Sequence, residues 1–222
     1  MLFRSKYAER FTDTTLIRTT HIYNGYLFDA ARGTDAMMAE HSDMYGGATG
    51  KGGGYRQVYT KTATMLYNLQ YVLGDSLFLA AMSHYFNQWK MAHPYIEDFR
   101  ASIINFTHVD LDWFFDEWFD TPKTIDYGIK KVKHLKGDDY AITIKRYGMQ
   151  MPVDFSVLDK ADSVHNYHIP NNWFVKETKA TVLPRWIGWD NIQKTYTANV
   201  HIPQGIADVQ LDPTHRLADV NM

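Results

Sequence analysis

The chain has 222 residues, of which 45% are hydrophobic and 15% aromatic, so it is long enough to bury a sizeable core in one large domain or two small ones. Its 23 Lys and Arg residues nearly balance 25 Asp and Glu residues, and no basic run occurs, which argues against nucleic acid as a partner. Cysteine is absent, which excludes disulfides, thiolate nucleophiles and Cys-ligated zinc. No apolar run reaches the length of a membrane span.

Six glycines surround a lysine in the stretch MYGGATGKGGGYRQVYTK, residues 44–61. A P-loop requires Gly, four residues, Gly-Lys and then Ser or Thr, because backbone amides wrap the phosphates and the hydroxyl holds magnesium. Counting back from Gly50 puts Tyr45 at the first glycine position, and Gly52 stands at the hydroxyl position. The stretch is therefore interpreted as a flexible loop that leads into a helix beginning near residue 57.

Apolar residues recur at helical spacing before residue 125. Two such stripes, separated by Gly74, predict an antiparallel pair of helices. The first stripe consists of Val58, Thr62, Met65, Leu66, Leu69 and Leu73, and the second consists of Leu77, Ala81, Tyr85 and Trp89. A third helix is predicted over 95–106, and a fourth runs from Asp110, its expected N-cap, to Phe119. Further helices are predicted at 7–11 and 16–31.

The hydrophobic period drops to two after Thr124. Alternating apolar positions predict short strands around residues 127–132, 140–144, 153–157 and 196–200, separated by turn signals at 136–139 and 170–172. The sequence therefore predicts an α+β protein, in which an N-terminal α-helical bundle (1–124) is followed by an antiparallel, Ig-like β-sandwich (125–222).

No complete catalytic set is visible in the residues alone. The chain contains neither H-E-x-x-H nor G-x-S-x-G. His165 and His168 would point to opposite faces of a strand, so we expect solvent-exposed histidines rather than shared metal ligands. A second cluster is interpreted as a solvated turn, and it consists of Glu40, His41 and Asp43. The acidic residues of the aromatic helix are interpreted as its solvent-exposed face, and they are Asp116, Glu117 and Asp120.

Residues 58–119 resemble the region downstream of the zinc site in aminopeptidase N-like (gluzincin) metallopeptidases. The elements that carry the resemblance appear in the family's order: Tyr59-Thr60-Lys61, Leu73-Gly74, Tyr85, Asp98-Phe99 and the segment 111–115. Thr62 stands where the family's Y-x-K-G element has glycine. In addition, TIDYGIKKV at 124–132 and LDPTHRLADV at 211–220 look like the start and the close of the β-sandwich in bacterial members.

The resemblance also implies what this chain lacks. The family holds zinc with two histidines of H-E-x-x-H and a glutamate on the next helix, and the motif's own glutamate is the general base. Residues 7–10, YAER, resemble the Y-x-E-R that follows the third ligand, and this alignment places Leu2 at the ligand position. We therefore expect no metal site in this chain, and zinc only in a full-length enzyme with the missing N-terminal catalytic half. A fragment, a truncated gene product and a module that lost catalysis all stay open.

The resemblance gives Tyr59 a catalytic role. In the family, the neutral phenol at this position donates a hydrogen bond to the oxyanion that forms when a peptide carbonyl is attacked. From composition alone, Tyr59 is one of fifteen tyrosines, any of which could pack a helix. Lys61 is expected to be a structural partner. The glycine loop is expected to bring the helix start into the cleft without obstructing it.

Two functions follow as alternatives. The first is the C-terminal part of a zinc aminopeptidase that removes N-terminal residues from peptide substrates, with the isolated chain inactive. The second is a noncatalytic binding or structural module in which Trp173, Trp186 and Trp189 contact peptide or sugar, although such tryptophans are more often core residues. Similarity to bacterial members favours an exported parent protein.

Overall fold

The structure, a computed structural model, describes residues 18–45, 54–187 and 192–221. Four features singled out in the sequence lie outside the described residues: the predicted helix at 7–11, Leu2, most of the glycine loop, and Trp189. Within the described ranges, no helix is both long and apolar enough to cross a bilayer.

Helices dominate the described residues before residue 121. A π-helical turn, Arg18–Tyr23, runs into helix α1, Asn24–Ala30, and a 3₁₀ turn covers Ser42–Tyr45. A single α-turn, Gly54–Arg56, then leads through the π segment, Gln57–Lys61, into α2, Thr62–Leu73. The remaining helices are α3, Asp75–Trp89, α4, Ile96–Thr107, and α5, Asp112–Asp120.

The helix boundaries follow local backbone chemistry. Gly74 separates α2 from α3 with φ of 80°, a conformation that glycine adopts without steric cost. At the start of α4, the carboxylate of Asp98 accepts the backbone N–H of Tyr95 at 2.8 Å. The N-cap position of α5 is Leu111 and not the predicted Asp110. Asp110 still accepts the N–H of Asp112 at 3.3 Å, which is the kind of bond that a capping side chain makes.

The strands form two sheets. The first has the order β1–β2–β6, all antiparallel, from Tyr127–His134, Asp139–Arg146 and Thr195–His201. The second has the order β5–β4–β3–β7, from Thr181–Val182, Val164–Ile169, Val153–Asp159 and Ile206–Leu211.

The prediction of purely antiparallel strands is wrong at one edge. Strand β5 pairs parallel with β4, through Tyr167 with Thr181 and His168 with Val182. Parallel neighbours need a long return connection, and residues 170–180 provide one. The second sheet is therefore mixed, and the protein as a whole is α+β.

One hydrophobic cluster includes residues of the helices and of both sheets. Tyr71 of α2 is fully buried, and its hydroxyl donates to the carbonyl of Pro152 at 3.2 Å and accepts the N–H of Asp154 at 3.0 Å. Asn68, also in α2, accepts the N–H of Ala218 at 3.4 Å. Helix α2 is thus joined to the sheet region by both apolar and polar contacts, and a division into separate domains at residue 124 stays a prediction.

Candidate active-site segment around Tyr59

Tyr59 lies at the centre of the π segment. The N–H of Thr62 donates to the carbonyl of Gln57, five residues earlier, and the Thr62 hydroxyl donates to the same carbonyl at 2.9 Å. Nearby, the hydroxyl of Thr60 donates to the carbonyl of Arg56 at 2.8 Å. Such back-bonding by Thr bends helices, and π turns inside helices are frequent at functional sites. Thr62, the departure from the family's glycine, therefore supports the π turn.

The side chain of Tyr59 is exposed. Its exposed fraction is 58%, whereas the packing tyrosines Tyr23, Tyr26 and Tyr71 are at most 2% exposed. Its ring stands 4.6 Å, centroid to centroid, from the ring of Tyr55 one turn earlier. Within the described ranges, the Tyr59 hydroxyl has no hydrogen-bond partner. This geometry leaves the hydroxyl accessible to a ligand.

Asp29 of α1 holds the α-turn that precedes the π segment. Nη1 of Arg56 lies 2.7 and 2.8 Å from the two carboxylate oxygens of Asp29. The Asp29 side chain is 8% exposed and that of Arg56 is 44% exposed. The contact thus ties α1 to the turn that carries Tyr55.

Asp35, in the loop after α1, holds the π segment itself. Its Oδ2 atom lies 2.6 Å from Nζ of Lys61, and its Oδ1 atom accepts from Nε2 of Gln57 at 3.0 Å. Nζ of Lys61 also donates to the carbonyl of Ala36. Burial lowers the pKa of Lys61 below its ordinary value, although the Asp35 carboxylate counteracts that effect. Lys61 is therefore a buried structural partner.

Gly25 permits a close approach between α1 and the π segment. A Cβ atom at this position would lie 2.8 Å from Cγ2 of Thr60, closer than side chains pack. Gly25, Asp29 and Asp35 are not recognisable from the sequence as parts of this site, because neither helical periodicity nor a motif links them to Tyr59. In the structure, Gly25 and Asp35 contact the π segment, and Asp29 contacts the α-turn that precedes it.

A second polar cluster lies where α2 meets the sheets. His168 is 1% exposed, so the prediction of solvent-exposed strand histidines is wrong for this residue. Its Nδ1 lies 2.5 Å from Oδ1 of Asp154, whose Oδ2 accepts from Nζ of Lys176 at 2.7 Å. Burial alone would raise the pKa of Asp154, but the His168 hydrogen bond and the Lys176 charge outweigh it and hold that pKa below its usual range. His165 takes a different partner, Asp159, at 2.9 Å.

The described residues do not fit a zinc site. Over the described ranges, no group of three or more His, Asp and Glu side chains is arranged to hold a metal ion. The two carboxylates that hold the Tyr59 region, Asp29 and Asp35, are committed to Arg56 and Lys61. The expectation that zinc requires ligands from a further segment stays a prediction.

The tryptophans of the sheet region differ in their surroundings. Trp186 is 4% exposed, donates from Nε1 to the carbonyl of Gln193 at 2.8 Å, and packs against Tyr127. It is a core residue. Trp173 is 85% exposed, and the guanidinium carbon of Arg185 lies 3.1 Å from its ring centroid. Of the two, only Trp173 is accessible to a ligand.

Comparison with known proteins bears on the helical segment. Residues 54–118 match the family model described as the peptidase family M1 domain. This segment is M1-peptidase-like. The match contains the π segment with Tyr59 and Lys61 and extends into α5. The resemblance to aminopeptidase N-like peptidases is thereby confirmed for this part of the chain.

One solved structure found by comparison is the crystal structure of Legionella pneumophila aminopeptidase A in complex with aspartic acid. It has 15% sequence identity and a TM-score of 0.48, and the alignment covers 74% of this chain but 17% of that protein. The chain therefore spans less than a fifth of the length of that enzyme. The likeness does not assign that enzyme's activity to this chain. No curated protein sequence matches.

Proposed function

We propose that this chain is the C-terminal part of a zinc-dependent aminopeptidase of the M1 type, which removes N-terminal residues from peptides when a zinc-carrying N-terminal half is present. The observation that carries the proposal is the position of Tyr59. It stands in the segment that matches the peptidase family, on a π turn, with an exposed hydroxyl.

The chemistry assigned to this chain is hydrogen-bond donation. When a peptide carbonyl is attacked, its oxygen gains negative charge, and a donor fixed in advance stabilises that charge without reorganising. Arg56 precedes Tyr59 in the sequence and Lys61 follows it. Arg56 is held by Asp29, and Lys61 is held by the buried Asp35, and these two contacts restrict the movement of the Tyr59 backbone. The residues that the structure describes supply neither the metal ligands nor the general base, and we place those groups in the proposed N-terminal half.

The sheet region is proposed to be the β-sandwich that follows the helical part. Buried positions alternate along β2 and β6, as expected when one face of a sheet covers a core. Ile142 and Ile144 of β2 are fully buried, as are Phe155 and Val157 of β3 in the other sheet. All four belong to one hydrophobic cluster.

Chelator-sensitive activity of the longer gene product tests the proposal. The product that includes the reading frame upstream of Met1 is purified and assayed with aminoacyl-coumarin amides before and after removal of metal. Hydrolysis that is lost with the metal and restored by zinc supports the proposal. A longer product that carries H-E-x-x-H, retains zinc and releases no N-terminal residue from any peptide overturns it.

A noncatalytic binding module is the second candidate, and the exposed Trp173 favours it. An accessible indole is a common contact for peptides and sugars. Titration of the chain with peptides and oligosaccharides, followed by tryptophan fluorescence, tests this role. Saturable binding that Trp173→Ala abolishes supports it, whereas unchanged fluorescence with every ligand contradicts it.

A further inference from the structure

We infer that Asp35 is a positioning residue for Tyr59, because its single carboxylate binds both ends of the π segment and thereby fixes the turn that presents the tyrosine. The inference rests on the proposed function for its catalytic consequence. Its structural part concerns the described residues alone.

The geometry of the carboxylate supports the inference. Gln57 and Lys61 are the first and last residues of the π segment, and each binds a different oxygen of Asp35, at 3.0 and 2.6 Å. Tyr59 is the middle residue. A carboxylate that binds the side chains of both end residues restricts how the segment between them can rotate.

Burial places the two ties and the tyrosine on opposite sides of the segment. Gln57 is 4% exposed and Lys61 is 2% exposed, whereas Tyr59 is 58% exposed. Residues four apart share one helix face, and the residue midway between them lies on the other. Asp35 therefore holds the segment from the inner face, without occupying the space in front of the tyrosine.

Stability alone does not explain why the buried pair of Asp35 and Lys61 is ionic. A buried ion pair is often no more stabilising than an apolar pair of similar size, because both charges lose their hydration. Directional bonds from one carboxylate to two residues fix a geometry, which apolar contacts do not. Asp35 lies outside the segment that matches the family, so the family match alone does not identify it.

Hydrogen exchange in the 222-residue chain tests the structural part. Asp35→Asn and Gln57→Met are compared with Asp29→Asn, which removes the neighbouring tie. We expect amide exchange of residues 58–62 to rise roughly tenfold or more in Asp35→Asn, and less in Gln57→Met, with a smaller rise in α3. In Asp29→Asn, we expect a smaller rise in exchange at residues 58–62, because the contact that this change removes precedes the π segment. Unchanged protection of residues 58–62 in both Asp35→Asn and Gln57→Met overturns the inference.

A charge-free pair separates positioning from stability. The double variant Asp35→Leu with Lys61→Met removes both charges together, so its melting temperature should fall less than that of Asp35→Leu alone, which leaves the Lys61 cation buried without a partner. In the longer zinc-carrying protein we expect its kcat to fall roughly 10²-fold with KM little changed, because misplacement of a catalytic group is costly. Combined with Tyr59→Phe, it should cause little further loss.

The two proposals fail in different ways. If Tyr59→Phe alone leaves kcat unchanged while Asp35→Asn loosens residues 58–62, the catalytic role of Tyr59 is wrong and the structural part of the inference stands. If Tyr59→Phe lowers kcat while the charge-free pair keeps full kcat, Asp35 is not a positioning residue.

Discussion

The Nζ atom of Lys61 lies 2.6 Å from the Oδ2 atom of Asp35, and the two side chains are 2% and 3% exposed. This pair joins the loop after α1 to the last residue of the π segment. Because both charges are removed from water, each depends on the other for compensation. Because Tyr59 is the middle residue of that segment, the contact links the position of the loop after α1 to the orientation of Tyr59.

Replacement of Lys61 by methionine should destabilise the protein strongly. Lys61→Met leaves the Asp35 carboxylate buried without its cation, and we expect the free energy of unfolding to fall by about 3–5 kcal/mol. The control is Lys123→Met, because Nζ of Lys123 lies 3.9 Å from Oε1 of Glu117 and the Lys123 side chain is 43% exposed. That change should cost about 1 kcal/mol or less. Urea unfolding at pH 7 measures both, and equal losses would contradict the assignment.

Asp219 should make stability depend on pH. Burial raises the pKa of Asp219 to about 6, although backbone N–H bonds from Asn221 and Tyr127 oppose the shift. Because the folded-state pKa exceeds the unfolded value of roughly 4, the folded protein binds more protons between these values. The stability that Asp219 contributes is therefore complete below about pH 4, and it is lost as pH rises through 6.

Asp219→Asn provides the measurement, because the amide does not titrate. The stability of the unmodified chain relative to this variant should fall by about 2 kcal/mol between pH 4 and pH 7. Urea unfolding of both proteins at several pH values gives this difference. Two stability curves that run parallel across the range would show that Asp219 does not couple folding to protons in this way.

The 222-residue chain should bind no catalytic zinc. No motif in the sequence supplies the family's ligands, and no three-ligand cluster occurs among the residues that the structure describes. After equilibration with zinc and dialysis, we expect no stoichiometric metal and no hydrolysis of aminoacyl-coumarin amides. Retained zinc together with chelator-sensitive hydrolysis would reveal a ligand set that this account lacks.

Regular elements were predictable because burial imposes a period on the sequence. The stripes around Gly74 correspond to α2 and α3, and the alternating runs correspond to β1, β2, β3 and β6. In β2 and β6, buried positions alternate with more exposed ones, so their apolar residues recur every second residue. Strand β5 has only two residues, both exposed, and its parallel pairing leaves no such pattern.

The contacts that hold Tyr59 were not predictable in this way. Asp35 and Lys61 are 26 positions apart, and their meeting depends on how α1 packs against the π segment. The burial of His168 has the same cause, because its partner Asp154 comes from another strand and Lys176 from a later loop. Tyr59 itself was identified through its motif, which is local in sequence.

The rate of peptide hydrolysis by Tyr59→Phe tests the central claim most directly. In the longer zinc-carrying protein, the matched control is Tyr55→Phe, because Tyr55 is similarly exposed and its ring contacts that of Tyr59. Removing the oxyanion donor should lower kcat by roughly 10²–10³, with zinc content, melting temperature and KM nearly unchanged. Tyr55→Phe should keep nearly full kcat. A Tyr59→Phe enzyme that turns over as fast as the Tyr55→Phe enzyme would contradict the account.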